Sequence, residues 1–272
     1  MASDFSYDPV TAVDEASASG QTAAIFADIR ETMGIPLVTS IWRGLASMGD
    51  SLSQAWYLAK PIYASGLPEH ALARVVARAS LPVPEPLAPT QLACVGLGGG
   101  DVEEILAILA AYNRSNGMNL VALAALITQP AGSASTSAVS LTAPVWPPLR
   151  PLLPRDAIDA NTWSMVRHVN AFGATGIDAG VATLWRHLAH WPGLLAIVHA
   201  AFSPLQVHGA IAAASGQVVA LSLEEGARMA HLRRAEVEMS RQARDTITGY
   251  VHSPTQVARM VTIGHALARW LK

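Results

Sequence analysis

The chain has 272 residues, a single cysteine, a formal net charge of -2 and a pI near 6.5. One thiol excludes an intramolecular disulfide and multi-cysteine metal sites, and the near-neutral balance gives no global attraction to nucleic acid or an anionic membrane. Only 14% of residues are charged while 51% are hydrophobic, so a chain of this length can bury a large core without covalent staples.

Residues 1–20, MASDFSYDPVTAVDEASASG, are acidic and polar, with neither a basic n-region nor an apolar h-region. They are expected to form a polar tail rather than a signal peptide, which points to a cytoplasmic protein. TAAIFADIRETM over 22–33 reads as a helix stopped by Gly34-Ile35-Pro36, and residues 37–48 start another. Ser51 to Ala64 predicts a third helix. Gly66-Leu67-Pro68 then breaks the chain before Glu69 to Ala79, with Pro68 suited to a first helical position.

Pro82 to Pro89 is a proline-rich connection. The glycine run Gly96 to Gly100 invites a dinucleotide reading, but a third glycine at the required spacing falls on Asp101 and no βαβ context surrounds it. Asp101 is expected to cap VEEILAILAAYNRS, with a separate helix over Asn119 to Ile127. Thr128 to Pro154 is rich in Ser, Ala, Thr and Pro and lacks periodicity, as a linker would.

Helices resume at Ala157 and run to the end. Pro192 to Leu223 carries no Asp, Glu, Lys or Arg, but Ser203-Pro204, Gln206, His208 and Ser215-Gly216-Gln217 interrupt it too often for a membrane span. Two core helices are the expectation. Arg228 to Arg244 alternates Arg and Glu at helical spacing, which describes an amphipathic helix with a solvated face rather than a nucleic-acid patch. Nine histidines include no HExxH pair. His187 and His190 sit three apart without a carboxylate at ligand spacing, so no metal is expected.

The halves are related to each other. SIWRGLA at 40–46 matches TLWRHLA at 183–189, and the same register sets Pro61 on Pro204 and Gly66 on Gly209. These matches predict an all-α fold of two tandem repeats, 21–127 and 155–272, joined by a linker over 128–154. The repeats would pack as a pseudo-dimer with a ligand crevice between them.

Three segments, IFADIRETMGIPLVTSIWRGLASMGDSLSQAW, AAYNRSNGMNLVALAAL and LWRHLAHWPGLLAIVHAAFSPL, resemble the group I 2-haloacid dehalogenases, which act on both enantiomers. The similarity runs over most of the chain from about residue 20. It implies a helical pseudo-dimer that needs no metal or organic cofactor. Its reaction would be a displacement in which a carboxylate activates water, water attacks the α-carbon, and halide leaves with inversion.

Carried onto this chain, the water-orienting amide falls on Asn116, and the hydroxyl before the catalytic aspartate falls on Thr183. The aspartate position itself holds Leu184, which cannot accept a proton. Two aromatic pocket positions fall on Leu37 and Ser40, and a hydroxyl–glutamate pair on Ser65 and Glu69. A replacement base is sought in His187, one turn beyond Leu184, in Glu69, or in Asp178.

The expectation is therefore a cofactor-independent, dehalogenase-like hydrolase acting on a small carboxylic acid with altered chemistry. The alternative is a diverged relative that binds an apolar ligand or catalyses an unrelated reaction. No nucleic acid or membrane partner is expected, and a homodimer is compatible with either reading.

Overall fold

The computed structural model describes residues 13–131, 139 and 143–272. Among these the fold is all-α, with no strand. Local chemistry sets the helix ends. α1 (Gly20–Met33) stops where Gly34 turns left-handed at φ 59° and the chain reaches back to the Glu31 and Arg30 carbonyls. α2 (Ser40–Leu45) and α3 (Ser51–Ala64) follow, and α4 (Leu67–Arg78) starts after Gly66 at φ 72°. Pro68 occupies the second position of α4 rather than the first.

A short α5 (Pro89–Cys94), not foreseen in the sequence, interrupts the connection to α6 (Gly99–Ile127). α6 is one helix of 29 residues and not the two expected. Gly117, between the two expected stretches, lies inside it, and a neighbour leaves no room for a side chain: a Cβ there would come 2.4 Å from Leu72 Cδ1 of α4. Asp101 lies in the first turn and not at the cap position. It accepts the Gly98 amide (2.9 Å) through one oxygen and the Trp191 indole (2.9 Å) through the other.

The second half holds α7 (Ala160–Asn170), α8 (Thr183–His187), α9 (Pro192–Val207), α10 (Ala210–Met229), α11 (Arg241–His252) and α12 (Val257–Trp270). α9 and α10 meet at 79° around Gly209, and among the described residues no single helix is long and apolar enough to cross a membrane. Pro61 and Pro204 each lie inside a helix, and Gly66 and Gly209 (φ 74°) each precede the next helix in the same conformation.

Two apolar cores form, and neither coincides with a sequence half. One gathers α1 to α4, the C-terminal part of α6, α11 and the first turns of α12. The other gathers the N-terminal part of α6, α7 to α9 and the last turns of α12. α6 and α12 thus run through both cores and cross where glycine allows close approach, since a Cβ at Gly264 would meet Asn113 Oδ1 at 2.1 Å. α10 crosses α6 in the same manner, with Gly226 against Ala124.

The ends of the chain's irregular parts are tied down. In the expected tail 1–20, residues 1–12 lie outside the described residues. Residues 13–19 pack on the first core, where the Glu15 carboxylate accepts the Val38 amide (2.8 Å) and pairs with Arg30. In the linker, Val139 donates its amide to the Ser65 carbonyl (2.8 Å) and the Trp146 indole donates to Gly34 O (3.0 Å).

Candidate active site

A crevice of about 940 Å³ opens between the chain's halves, and the linker forms part of its wall through Leu149, Arg150 and Leu152. From the first half it takes Leu37, Val38 and Ser40; from α6 it takes Tyr112 and Asn116. Those last two are one helical turn apart and so share a face. From the second half come Thr183, Leu184 and His187, together with the start of α12.

Six of the nine residues singled out in the sequence therefore line one cavity. Ser65 and Glu69 do not. The Ser65 hydroxyl donates to Ile62 O at 2.6 Å, a bond internal to the turn between α3 and α4. Glu69 pairs with Arg114 at 2.6 Å, and Arg114 also donates to Met33 O (3.0 Å), so this carboxylate anchors α4 to α6 and the end of α1. The break at Gly66-Leu67-Pro68 starts a new helix and turns the pair away from the crevice. Asp178 is no better placed: its side chain is 88% exposed and paired with Arg167.

Leu184 is 2% exposed and faces both the second core and the crevice, so the wall is hydrocarbon at that point. One turn on, His187 is 4% exposed. Its Nε2 stands 2.6 Å from the Arg150 carbonyl, which assigns the proton to Nε2. Nδ1 then carries a lone pair, 3.4 Å from the Tyr112 hydroxyl, with the two rings edge-on at 5.8 Å. Burial is the largest influence on the imidazole and holds its pKa below the ordinary 6.5, with a smaller push from His190. At neutral pH the ring is uncharged and its Nδ1 can accept a proton.

The α8 segment also holds the linker carbonyls in sequence. His187 takes Arg150 O, His190 takes Pro151 O (2.9 Å), and Arg186 takes Leu153 O (2.9 Å). The linker stretch that walls the crevice is thereby fixed to the helix that carries Leu184. The crevice also contains Tyr112, Tyr250 and Arg259, which were not singled out in the sequence. Only Tyr112 had a readable signal, its i, i+4 relation to Asn116 on a strong helix.

No group of three or more His, Cys, Asp or Glu side chains among the described residues is arranged to hold a metal ion.

Fold and crevice together define an all-helical protein with a cavity between its halves, and its likeness to known proteins can be set beside that. No family model matches the chain. It is 29% identical over 189 residues to a configuration-inverting 2-haloacid dehalogenase of Alcaligenes xylosoxydans xylosoxydans, a match covering 66% of this chain and 64% of that protein. Among solved structures, a mutant D-2-haloacid dehalogenase superposes with a TM-score of 0.75 at 15% identity over 96% of this chain and 95% of the other. The D-2-haloacid dehalogenase complex with L-LA gives the same TM-score, covering 96% of each chain. The all-α fold is shared with these helical haloacid dehalogenases.

Proposed function

We propose that the chain is a cofactor-independent, dehalogenase-like hydrolase of small carboxylic acids in which His187 stands in for the carboxylate base. The observation that carries this reading is the His187 geometry: a buried, neutral imidazole whose Nε2–H is committed to Arg150 O and whose Nδ1 looks toward Tyr112 and the crevice. In the proposed step, a water oriented by Asn116 passes its proton to His187 Nδ1, directly or through the Tyr112 hydroxyl. The water oxygen bonds to the α-carbon as the bond to the leaving halide breaks, with inversion. A positioned base of this kind contributes about 10²–10⁴-fold. Thr183 borders the same wall, and Leu37 and Ser40, which replace larger aromatic groups, widen the opening.

The two sequence halves, 21–127 and 155–272, are read here as a tandem duplication. Support comes from the matched order of α2–α4 and α8–α10 and from the paired left-handed glycines Gly66 and Gly209. A second reading follows from Leu184 alone: with hydrocarbon at the base position, the crevice binds an apolar ligand or serves another reaction.

The test is halide release from each enantiomer of 2-chloropropionate by the wild type, His187→Ala, Asn116→Ala and Leu184→Asp. The hydrolase reading expects halide from the wild type, a loss of about 100-fold or more in His187→Ala, and a gain in Leu184→Asp. Halide from Leu184→Asp but none from the wild type favours the second reading. Silence from both excludes dehalogenation.

A further inference from the structure

α11 and α12 also line the crevice, with a chemistry different from that of Leu184 and His187. Three observations meet there. First, Tyr250 of α11 is 9% exposed and lines the crevice, and its hydroxyl has no hydrogen-bond partner among the described residues. A buried hydroxyl left without a partner costs about 1–3 kcal/mol, so retaining the group makes physical sense if a ligand atom completes it.

Second, α12 points its N-terminus at the same space: Thr255, Gln256 and Val257 line the crevice, and Gln256, at the cap position, gives no side-chain cap. An uncapped first turn of a 14-residue helix presents amide donors and the positive end of the helix dipole. Third, Arg259 lines the crevice at 4% exposure, and every partner it has among the described residues is neutral. Its guanidinium donates to the carbonyls of Thr255 (2.9 Å), Asn170 (2.8 Å) and Phe172 (3.3 Å), and to Asn170 Oδ1 (3.1 Å).

Arg259 therefore has a structural role, closing the end of α7 and fixing Asn170. Asn170 in turn holds the Ala179 and Gly180 carbonyls (3.2 Å each) and the Ala182 amide (3.0 Å) ahead of α8. Carbonyl dipoles do not cancel a full charge, so the positive field at this wall persists. Burial lowers the pKa of Arg259 only to about 10, which leaves it charged at neutral pH. The carboxylates on the lining, Asp14 and Glu15, belong to the N-terminal segment, where Glu15 is paired with Arg30.

We infer that the Tyr250 hydroxyl, the first-turn amides of α12 and the charge of Arg259 form an anion-binding subsite that holds the substrate's carboxylate. Its α-carbon would then point toward His187 and its side chain across Leu184. The inference rests on the reading of the crevice as an acid-binding site but not on the identity of the base. The apolar side has room for more than a three-carbon acid. Six heavy atoms fill on the order of 180 Å³, judged from about 30 Å³ per water, against a crevice of about 940 Å³.

Calorimetric titration of the whole chain with propionate, hexanoate and their neutral amides tests the subsite without any turnover. Both acids should bind, with hexanoate the tighter, and each amide at least tenfold more weakly than its acid. Tyr250→Phe keeps the ring and removes only the orphan hydroxyl. It should weaken the acids by about tenfold or more, the usual effect of losing a hydrogen bond to a charged group, and leave the amides unchanged. Equal affinity for acid and amide in the wild type overturns the inference, as does unchanged acid binding in Tyr250→Phe or no binding of either acid. Acid binding by the wild type together with halide release that His187→Ala leaves undiminished marks failure of the base assignment and not of the subsite.

Discussion

Acid should unfasten the second core through His265. This residue lies on α12, and its Nε2 is buried without a hydrogen-bond partner among the described residues. Burial, with a smaller contribution from Arg269, lowers the imidazole's pKa from 6.5 to about 4. The folded state thus keeps the ring neutral where the unfolded chain would take up a proton. The stabilisation is complete above pH 6.5 and is lost as pH falls toward about 4. Moving from pH 7.5 to 4.5 should cost about 2–3 kcal/mol from this residue.

Asp101, held below 3.8 by the Trp191 indole, and Asp159, held below it by Thr162, act only at lower pH and leave this window open to the histidines. His187, also lowered, adds a loss of the same sign. His265→Leu keeps the volume roughly and removes the titration. Urea unfolding followed by tryptophan fluorescence should show the variant losing about 2–3 kcal/mol less than the wild type between the two pH values. If both proteins lose stability in parallel, the buried orphan imidazole is not the acid-sensitive group and the reasoning fails.

Two further substitutions probe the core around α6. Gly226→Ala gains roughly 1 kcal/mol of helix propensity, but its Cβ would sit 2.6 Å from Ala124 Cβ and 2.9 Å from the Ala124 carbonyl carbon. Backbone cannot yield as a side chain does, so a net loss of about 1–3 kcal/mol is expected in urea unfolding; a neutral or stabilising result would show that α10 can shift off α6. Asn119→Leu removes the acceptor of the Trp42 indole (3.0 Å) and the Tyr63 hydroxyl (2.8 Å), and the donor to Thr39 (2.7 Å), all buried. Two stranded donors should cost about 2–5 kcal/mol, seen as a lower urea midpoint at unchanged slope; an unmoved midpoint would mean that the network repacks.

Helix content was legible because punctuation and packing agree along most of the chain. Gly34, Gly66 and Gly209 stop or start helices by taking positive φ, which their residue type announces. α6 was misread as two helices for the opposite reason. Ser115-Asn116-Gly117 looks like a stop, yet Gly117 is there to admit Leu72, a fact of tertiary packing that no local rule carries. The same holds for the site. Asn116, Thr183, Leu184 and His187 were reachable through resemblance and helix periodicity. Ser65 and Glu69 were misplaced because the turn at Gly66 redirects them, and Tyr250 and Arg259 were unseen because nothing in the sequence of α11 and α12 marks them as crevice walls.

Why the crevice persists rather than collapsing follows from how the cores divide. Had each half closed on its own core, the space between them would be an interface free to adjust. Instead α6 gives its N-terminal part to one core and its C-terminal part to the other, and α12 does the same in reverse order of attachment. Both helices are pinned at their crossing by Gly264 against Asn113, and both present residues to the cavity there: Tyr112 and Asn116 from α6, Arg259 and Met260 from α12. The cavity walls are therefore the backs of core helices, set by close packing that deforms little. The linker, bound through its carbonyls to His187, His190 and Arg186, adds the remaining wall. A site held this way keeps its shape while single lining residues change identity, and so a leucine can occupy position 184 with the rest of the crevice still in place.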